Sequence, residues 1–275
     1  MSYPINYPKP QGANVQIFRE GGSTSDWVKP QGASFVWFTL IGAGGGGGGG
    51  SFNTADSIRY YGGGGASGNV SNFMCPAFLL PDVLRVAVGK GGTGGTYFND
   101  GLAANGITGT PTSVIYQQKN NIGYTLVTAG GGSAGGAANG SFGNESNGVG
   151  GSQPAVDPGE PMTAAGFYNN TVGQAGANGG VETLNVDGLT FLNGGIGCRH
   201  NEGIATGYYG YTASTIAGYS QISPLIMSIS GANSDASVKR SSPFGCGGNG
   251  GTDYPLGGAT NGSNGGDGLA IIVTW

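Results

Sequence analysis

A chain of 275 residues with 62 glycines, 9% charged residues and a net charge of -4 has the composition of neither an ordinary enzyme nor a disordered segment. Glycine stands at roughly three times its usual share of about 7%, yet 10% aromatics combined with so little charge is the reverse of the disorder signature. No basic cluster exceeds the pair Lys239 and Arg240, and no apolar run reaches membrane-spanning length, so neither a nucleic-acid partner nor a transmembrane segment is expected. The opening MSYPINYPKP has no basic n-region and no apolar h-region, which argues against a secretory signal.

Along the chain, Asn14 to Arg19 is the first strand candidate. A turn at Pro30, Gln31 and Gly32 then leads into Ser34 to Ile41 (SFVWFTLI), whose β-branched and aromatic residues predict the clearest strand. That strand runs straight into Gly44 to Gly50. A second glycine tract, Gly62 to Gly65, precedes a strand predicted over Asn69 to Met74. Val83 to Val88 leads into Gly89 to Gly95 (GKGGTGG), a strand is predicted over Ser113 to Gln117, and Tyr124 to Ala129 leads into Gly130 to Gly136. Strand followed by glycine tract is thus the recurring unit. Thr183 to Val186 and Leu189 to Leu192 are further short strands, and the closing LAIIVTW (Leu269 to Trp275) is expected to be a central or closing strand, because an apolar edge there would invite aggregation. Glycine or proline interrupts almost every stretch long enough for a helix, and only Ile216 to Ile229 admits a short helical turn.

The tracts themselves have a pattern. In GKGGTGG, glycine occupies two of every three positions. A polyproline II conformer has three residues per turn, about 3.1 Å rise and no internal hydrogen bonds, so its peptide groups point outward. Without side chains such helices can approach closely and bond to one another, satisfying packing and hydrogen bonding together. Collagen is disfavoured by the imperfect period and the scarcity of proline in the tracts, and flexible linkers by the odd series of hinges they would make. The expected fold is all-β: β-sandwich or jelly-roll-like strands combined with packed polyglycine II-type segments, with almost no helix.

Motifs for chemistry are weak. Gly89, Gly91 and Gly94 match GxGxxG after a strand, but TYFNDG follows where a dinucleotide site needs a helix. Gly247 to Asp253 (GGNGGTD) is out of register with calcium-binding nonapeptides. His200, the sole histidine, has no nucleophile elbow beside it, and Asp157, Glu160, Glu182, Asp187 and Glu202 form no specific pair. The reading is therefore no enzyme, no cofactor and no assigned metal site, with a bound Ca²⁺ or Mg²⁺ at some cluster of Asp and carbonyl groups left open. Cys75, Cys198 and Cys246 fit neither a disulfide framework nor a zinc site and read as buried thiols, with a pairing of Cys198 and Cys246 left open.

Aromatics gather outside the strands in two places, Ser51 to Tyr61 (SFNTADSIRYY) and Thr206 to Tyr219 (TGYYGYTASTIAGY). Tyrosine among Ser, Gly and Asn gives large contact area at low entropic cost, as in a paratope. The rings either meet a partner or cap the glycine segments and an oligomer interface. Candidate binding residues are Phe52, Tyr60, Tyr61, Tyr208, Tyr209, Tyr211 and Tyr219.

Trp27 to Gly50, WVKPQGASFVWFTLIGAGGGGGGG, resembles the opening of the glycine-rich domains of tail-fibre and receptor-binding proteins of tailed phages. VAVGKGGTGG, VTAGGGSAGG and GGDGLAIIVTW look like its later blocks in the same order, so the resemblance covers nearly the whole chain. It implies a virion protein, made in the host cytoplasm, in a tail fibre or tail tip. Loops on a glycine-rich scaffold would bind a host surface glycan or outer-membrane protein, other phage tail subunits would be partners, and a homotrimer is one expected assembly. Residues 1–26 are expected to form an N-terminal extension or attachment segment and residues 27–275 the glycine-rich β domain. The related adhesins carry a separate N-terminal attachment domain that has no evident counterpart here. A structural virion protein (short fibre, knob or head decoration) fits the resemblance as the alternative.

Overall fold

Side chains alternate across a strand, so two sheets can bury one face each against the other. The computed structural model describes residues 12–54, 58–117, 123–141, 148–149, 151, 167–171, 185–186, 189–190, 244–245, 247–248, 250–251, 253–254, 258–259 and 261–275. Its strands are β1 (Asn14–Phe18), β2 (Thr24–Val28), β3 (Phe35–Ile41), β4 (Ser51–Asn53), β5 (Ile58–Tyr60), β6 (Val70–Pro76), β7 (Val83–Ala87) and β8 (Phe98–Asn99). They continue with β9 (Thr112–Gln117), β10 (Gly123–Ala129), β11 (Phe167–Thr171), β12 (Asn185–Val186), β13 (Leu189–Thr190), β14 (Asp253–Tyr254), β15 (Gly258–Ala259) and β16 (Leu269–Thr274). A single 3-10 turn, Ala77–Leu79, is the helical element among the described residues. The expected all-β fold is what forms.

One sheet has the order β1-β16-β3-β6-β11 and the other β10-β9-β7-β2. All neighbours in both are antiparallel. The closing strand β16 is central, as expected, lying between β1 and β3. Strand β2 was not anticipated, because TSDWV carries little alternation beyond one anchor, the fully buried Trp27. The boundary placed at Trp27 falls inside β2, and residues 14–26 supply β1, paired from Asn14↔Thr274 to Phe18↔Ala270, together with the start of β2. Ile216 to Ile229 lies outside the described residues.

Between the sheets, β3 contributes Val36, Phe38 and Leu40, β6 contributes Phe73 and Cys75, and β16 contributes Ala270 and Ile272. Trp27, Leu84, Val86, Val114 and Val127 meet them from the second sheet. Each large apolar side chain buried this way is worth about 1.5–3 kcal/mol. Phe38 is the keystone: Trp27 meets it edge-on and Phe73 stacks on it, both with ring centroids 6.1 Å away. Burial pushes the Cys75 thiol up to about 11. Cys198 and Cys246 lie outside the described residues.

Beyond the ends of the strands the interior is filled differently. Strands β3, β7 and β10 run on into glycine-rich segments g1 (42–50), g3 (89–96) and g5 (130–138), while g2 (62–69), g4 (103–110) and g8 (261–268) lead back into β6, β9 and β16. Two more, g6 (within 148–151) and g7 (within 245–251), lie alongside. The bonding of g1 repeats every three residues, as a threefold extended helix requires. Gly42, Gly45 and Gly48 donate to g2, Ala43, Gly46 and Gly49 to g4, and Gly44 and Gly47 to g8. In the same rhythm, carbonyls of g1 accept from g5 (Gly132, Gly135, Ala138), g3 (Gly92, Gly95) and g7 (Gly248, Gly251).

Segment g1 therefore has six bonded neighbours, and these also bond to one another around it: g2 to g5, g5 to g4, g4 to g3, g3 to g8, g8 to g7 and g7 to g2. It donates to the three that run antiparallel to it and accepts from the three that run parallel. This is a closed hexagonal array with g1 at its axis. Glycine is required there by close approach: a Cβ on Gly45 would fall on the carbonyl oxygen of Ser133, and one on Gly46 on that of Thr93. Rim segments have an outward side. In g3 every third residue, Lys90, Thr93 and Thr96, is exposed, while the intervening glycines face the array.

Polar side chains finish the rim and the seam. Asn261, Asn264 and Asp267, spaced by three on g8, accept from the backbone N–H groups of Tyr97, Gly94 and Gly91 at 2.8, 2.9 and 2.8 Å. Where sandwich gives way to array, buried Thr112 accepts from Gly89 N–H at 3.0 Å and donates to the Ile41 carbonyl at 2.7 Å. Ser71 Oγ donates to the Thr128 carbonyl beside it.

Candidate functional site: the far end of the glycine array

The array ends where its helices emerge on the side away from the sandwich. From g1 the chain enters β4 and returns through β5 into g2, while g3 runs into β8. Strand β4 pairs antiparallel with β5 (Ser51↔Tyr60, Phe52↔Arg59, Asn53↔Ile58) and parallel with β8 (Ser51↔Phe98, Phe52↔Asn99). Strands β14 and β15 pair antiparallel, and β15 lies against β4. Within the region read as a displayed loop, Ser51 to Tyr61, the described residues thus form two antiparallel strands built on two adjacent array helices.

Hydrogen bonds hold this tip in shape. Ser51 is buried, its Oγ 2.8 Å from the Phe98 carbonyl and 2.6 Å from that of Gly101. Asp100 sits in the left-handed region (φ 55°), and its N–H donates to the Phe52 carbonyl at 2.7 Å. Its carboxylate accepts from the Thr54 N–H at 2.6 Å and the Thr54 hydroxyl at 2.7–2.8 Å. Those bonds, the backbone one foremost, hold the Asp100 carboxyl below the usual carboxylate range. An isolated bridge between Leu102 and Asn139 ties in the end of g5.

On this frame stand Tyr97 and Phe98, 48% and 55% exposed, with Leu102 exposed beside them. The polar Thr54, Asn99 and Asp100 of the same tip are exposed as well, so aromatic side chains and a carboxylate are both displayed there. Rings of this kind offer flat apolar area, and the fixed carboxylate offers a hydrogen-bond acceptor; the arrangement suits recognition of a partner's surface.

Of the seven candidate aromatics, three are described. Phe52 and Tyr60 lie half-buried on β4 and β5 at the tip. Tyr61 is a correction: it is buried where g2 begins and is not displayed at the surface, and its backbone carbonyl accepts from Gly148 N–H. Tyr208, Tyr209, Tyr211 and Tyr219 lie outside the described residues. Sequence reasoning passed over Tyr97, Phe98 and Leu102. The available signal was positional: TYFNDG follows a tract leaving the sandwich, as SFN follows Gly44 to Gly50.

The weak motifs become lattice. N–H groups of Gly89, Gly91 and Gly94 are engaged by Thr112, Asp267 and Asn264, so this GxGxxG presents no free cradle for a phosphate. Gly248 and Gly251, from GGNGGTD, donate to g1. Among the described residues, no group of three His, Cys, Asp or Glu converges as a metal ion would need.

Comparison with known proteins agrees with this construction. Residues 19–275 match the model of a family described as a glycine-rich domain, and the chain belongs to that family. No curated protein matches the sequence.

Proposed function

We propose that this glycine-rich domain protein is a virion component of a tailed phage, placed in a tail fibre or tail tip, that binds a host cell-surface receptor through the far end of its glycine array. It works by binding and not by catalysis. The observation that carries the reading is the exposure of Tyr97 and Phe98 on a tip braced by Ser51, Thr54 and Asp100 at the end of a backbone array whose axial segment g1 is hydrogen-bonded to six neighbours. Rigid presentation of aromatic side chains lowers the ordering cost of association. The resemblance of Trp27 to Gly50 to tail-fibre domains supplies the phage context, and a surface glycan or outer-membrane protein is the receptor class it suggests.

The test is binding of purified protein to intact host cells, with blockade of phage adsorption. Saturable binding is expected, and Tyr97→Ala combined with Phe98→Ala should lower affinity by tenfold or more while leaving thermal unfolding within a degree or two. Folded wild-type protein that neither binds cells nor competes with phage would move the reading to a structural virion protein whose tip contacts other phage subunits.

A further inference from the structure

The rim of the array carries a reactive pair of residues that receptor binding does not use. Among the described residues, asparagine precedes glycine at Asn105-Gly106, Asn139-Gly140, Asn261-Gly262 and Asn264-Gly265. In an unrestrained chain such a step is prone to deamidation, because no side chain on the glycine hinders its nitrogen and its backbone turns freely. That nitrogen gives up its proton and bonds to the asparagine Cγ, the bond from Cγ to the amide nitrogen breaks, and ammonia leaves with the proton. Water then opens the resulting succinimide at one carbonyl or the other, giving aspartate or isoaspartate. No oxidant, reductant or enzyme is needed.

Burial does not protect these steps, since Asn105, Asn261 and Asn264 are all exposed. Hydrogen bonding does. The side-chain oxygen of Asn105 accepts from the Ala137 N–H at 2.7 Å, that of Asn261 from Tyr97 at 2.8 Å and that of Asn264 from Gly94 at 2.9 Å. The nitrogens that would attack are engaged as well: Gly106 donates to the Gly135 carbonyl at 3.0 Å, Gly262 to Gly95 and Gly265 to Gly92, both at 2.8 Å. Asn139 repeats the arrangement through the Ser141 N–H and, from Gly140, the Gly101 carbonyl, both at 3.0 Å. Both reacting groups of all four steps are therefore tied down by separate bonds. Ring closure requires those bonds to break and the extended threefold backbone to rotate.

One residue shows what the aspartate product would do. Asp267 stands three residues beyond Asn264 in the same row, and its carboxylate accepts from the Gly91 N–H at 2.8 Å while Gly268 donates to the Gly89 carbonyl. A carboxylate thus fills the place of the asparagine amide in this row without loss of the bond.

We propose that Asn105, Asn261 and Asn264 are sites of spontaneous deamidation held latent by the array: each reacts only when its stretch of rim opens, and the aspartate that results is kept in the row as Asp267 is. Deamidation at these positions is then a covalent record of opening, whatever the tip binds.

The test follows the full-length chain by peptide mapping, with mass and retention distinguishing asparagine, aspartate and isoaspartate. Folded protein and protein in guanidinium are held side by side at the same mildly alkaline pH and temperature. Deamidation at the three sites is expected to be roughly tenfold or more slower in the folded chain, because reaction must wait for local opening. Equal rates would overturn the proposal. Ala137→Pro tests the bonds themselves: proline keeps the extended conformer but lacks the N–H that Asn105 accepts. Deamidation should rise by roughly threefold or more at Asn105 and stay unchanged at Asn261 and Asn264, as expected for local opening at one site. An unchanged rate at Asn105 in a variant that melts like wild type would overturn the assignment. Should Ala137→Pro melt lower, hydrogen exchange of the wild-type chain takes its place: deamidation at Asn105, Asn261 and Asn264 should rank as exchange of the Ala137, Tyr97 and Gly94 amides, and any other order overturns it. Asn264→Asp should melt within a degree or two of wild type, and a larger fall would refute retention of the aspartate product.

Discussion

The sandwich and the glycine array fill an interior by opposite means. Between the sheets, side chains such as Trp27, Phe38 and Phe73 interlock, and backbone groups bond only within each sheet. Around g1 there are almost no side chains, and the backbone bonds in six directions. In the first region stability comes from apolar area removed from water. In the second it comes from satisfying the peptide groups of the axial segment at close approach, which offsets the entropy that glycine loses on ordering. A core of side chains can relax around a changed residue. A core of backbone has nothing that can rotate away.

Three measurements test that contrast. The largest effect is expected in the sandwich: Phe38→Ala removes a ring packed between two others and should cost about 3–5 kcal/mol in denaturant unfolding. A loss below about 1 kcal/mol would mean that the array alone holds the domain. Next comes Gly46→Ala, which adds a single methyl on the Thr93 carbonyl and should cost about 2–3 kcal/mol. The paired control, Thr93→Ala on the exposed side of g3, should stay within about 0.5 kcal/mol. Equal effects at the two positions would dissolve the distinction between axis and rim. The smallest effect is local and concerns pH. Because the folded-state carboxyl of Asp100 is lowered, its contribution to tip order is present above the ordinary carboxylate value and is lost as pH falls through the folded value. The Thr54 amide signal in NMR should therefore shift only in the acidic range, with an apparent midpoint below the model-peptide value of about 3.9. A midpoint at or above that value would remove the Thr54 bonds from the account.

Much of this division was legible beforehand, and the reasons differ by region. SFVWFTLI and LAIIVTW announce strands because their apolar residues sit together between turn and glycine signals. β2 escaped since its burial rests on one residue, Trp27, that local pattern does not distinguish from an exposed tryptophan. The threefold rhythm of GKGGTGG foretold the helix type. What it could not foretell is which helices touch, because that follows from the strand order β16-β3-β6 and β10-β9-β7, a long-range fact. Glycine density nevertheless reports crowding after the event. Residues 44–50 are all glycine at the axis, g3 has glycine at two positions of three, and g4, at the periphery, keeps only Gly106 and Gly109. At the tip, Phe52 and Tyr60 were found from aromatic clustering. Tyr97 and Phe98 were not, because their placement beside β4 depends on parallel pairing of β8 with β4 across segments distant in sequence.

The three-residue repeat of g1 also makes the array a ruler. Its bonds are identical in kind from one turn to the next, so nothing within it marks absolute position. Adding one turn, three residues, to every helix of the bundle would carry the tip outward by about 9 Å and leave each remaining contact as it was. Reach can thus be graduated in fixed steps, with the sandwich as its zero mark and the tip as its pointer.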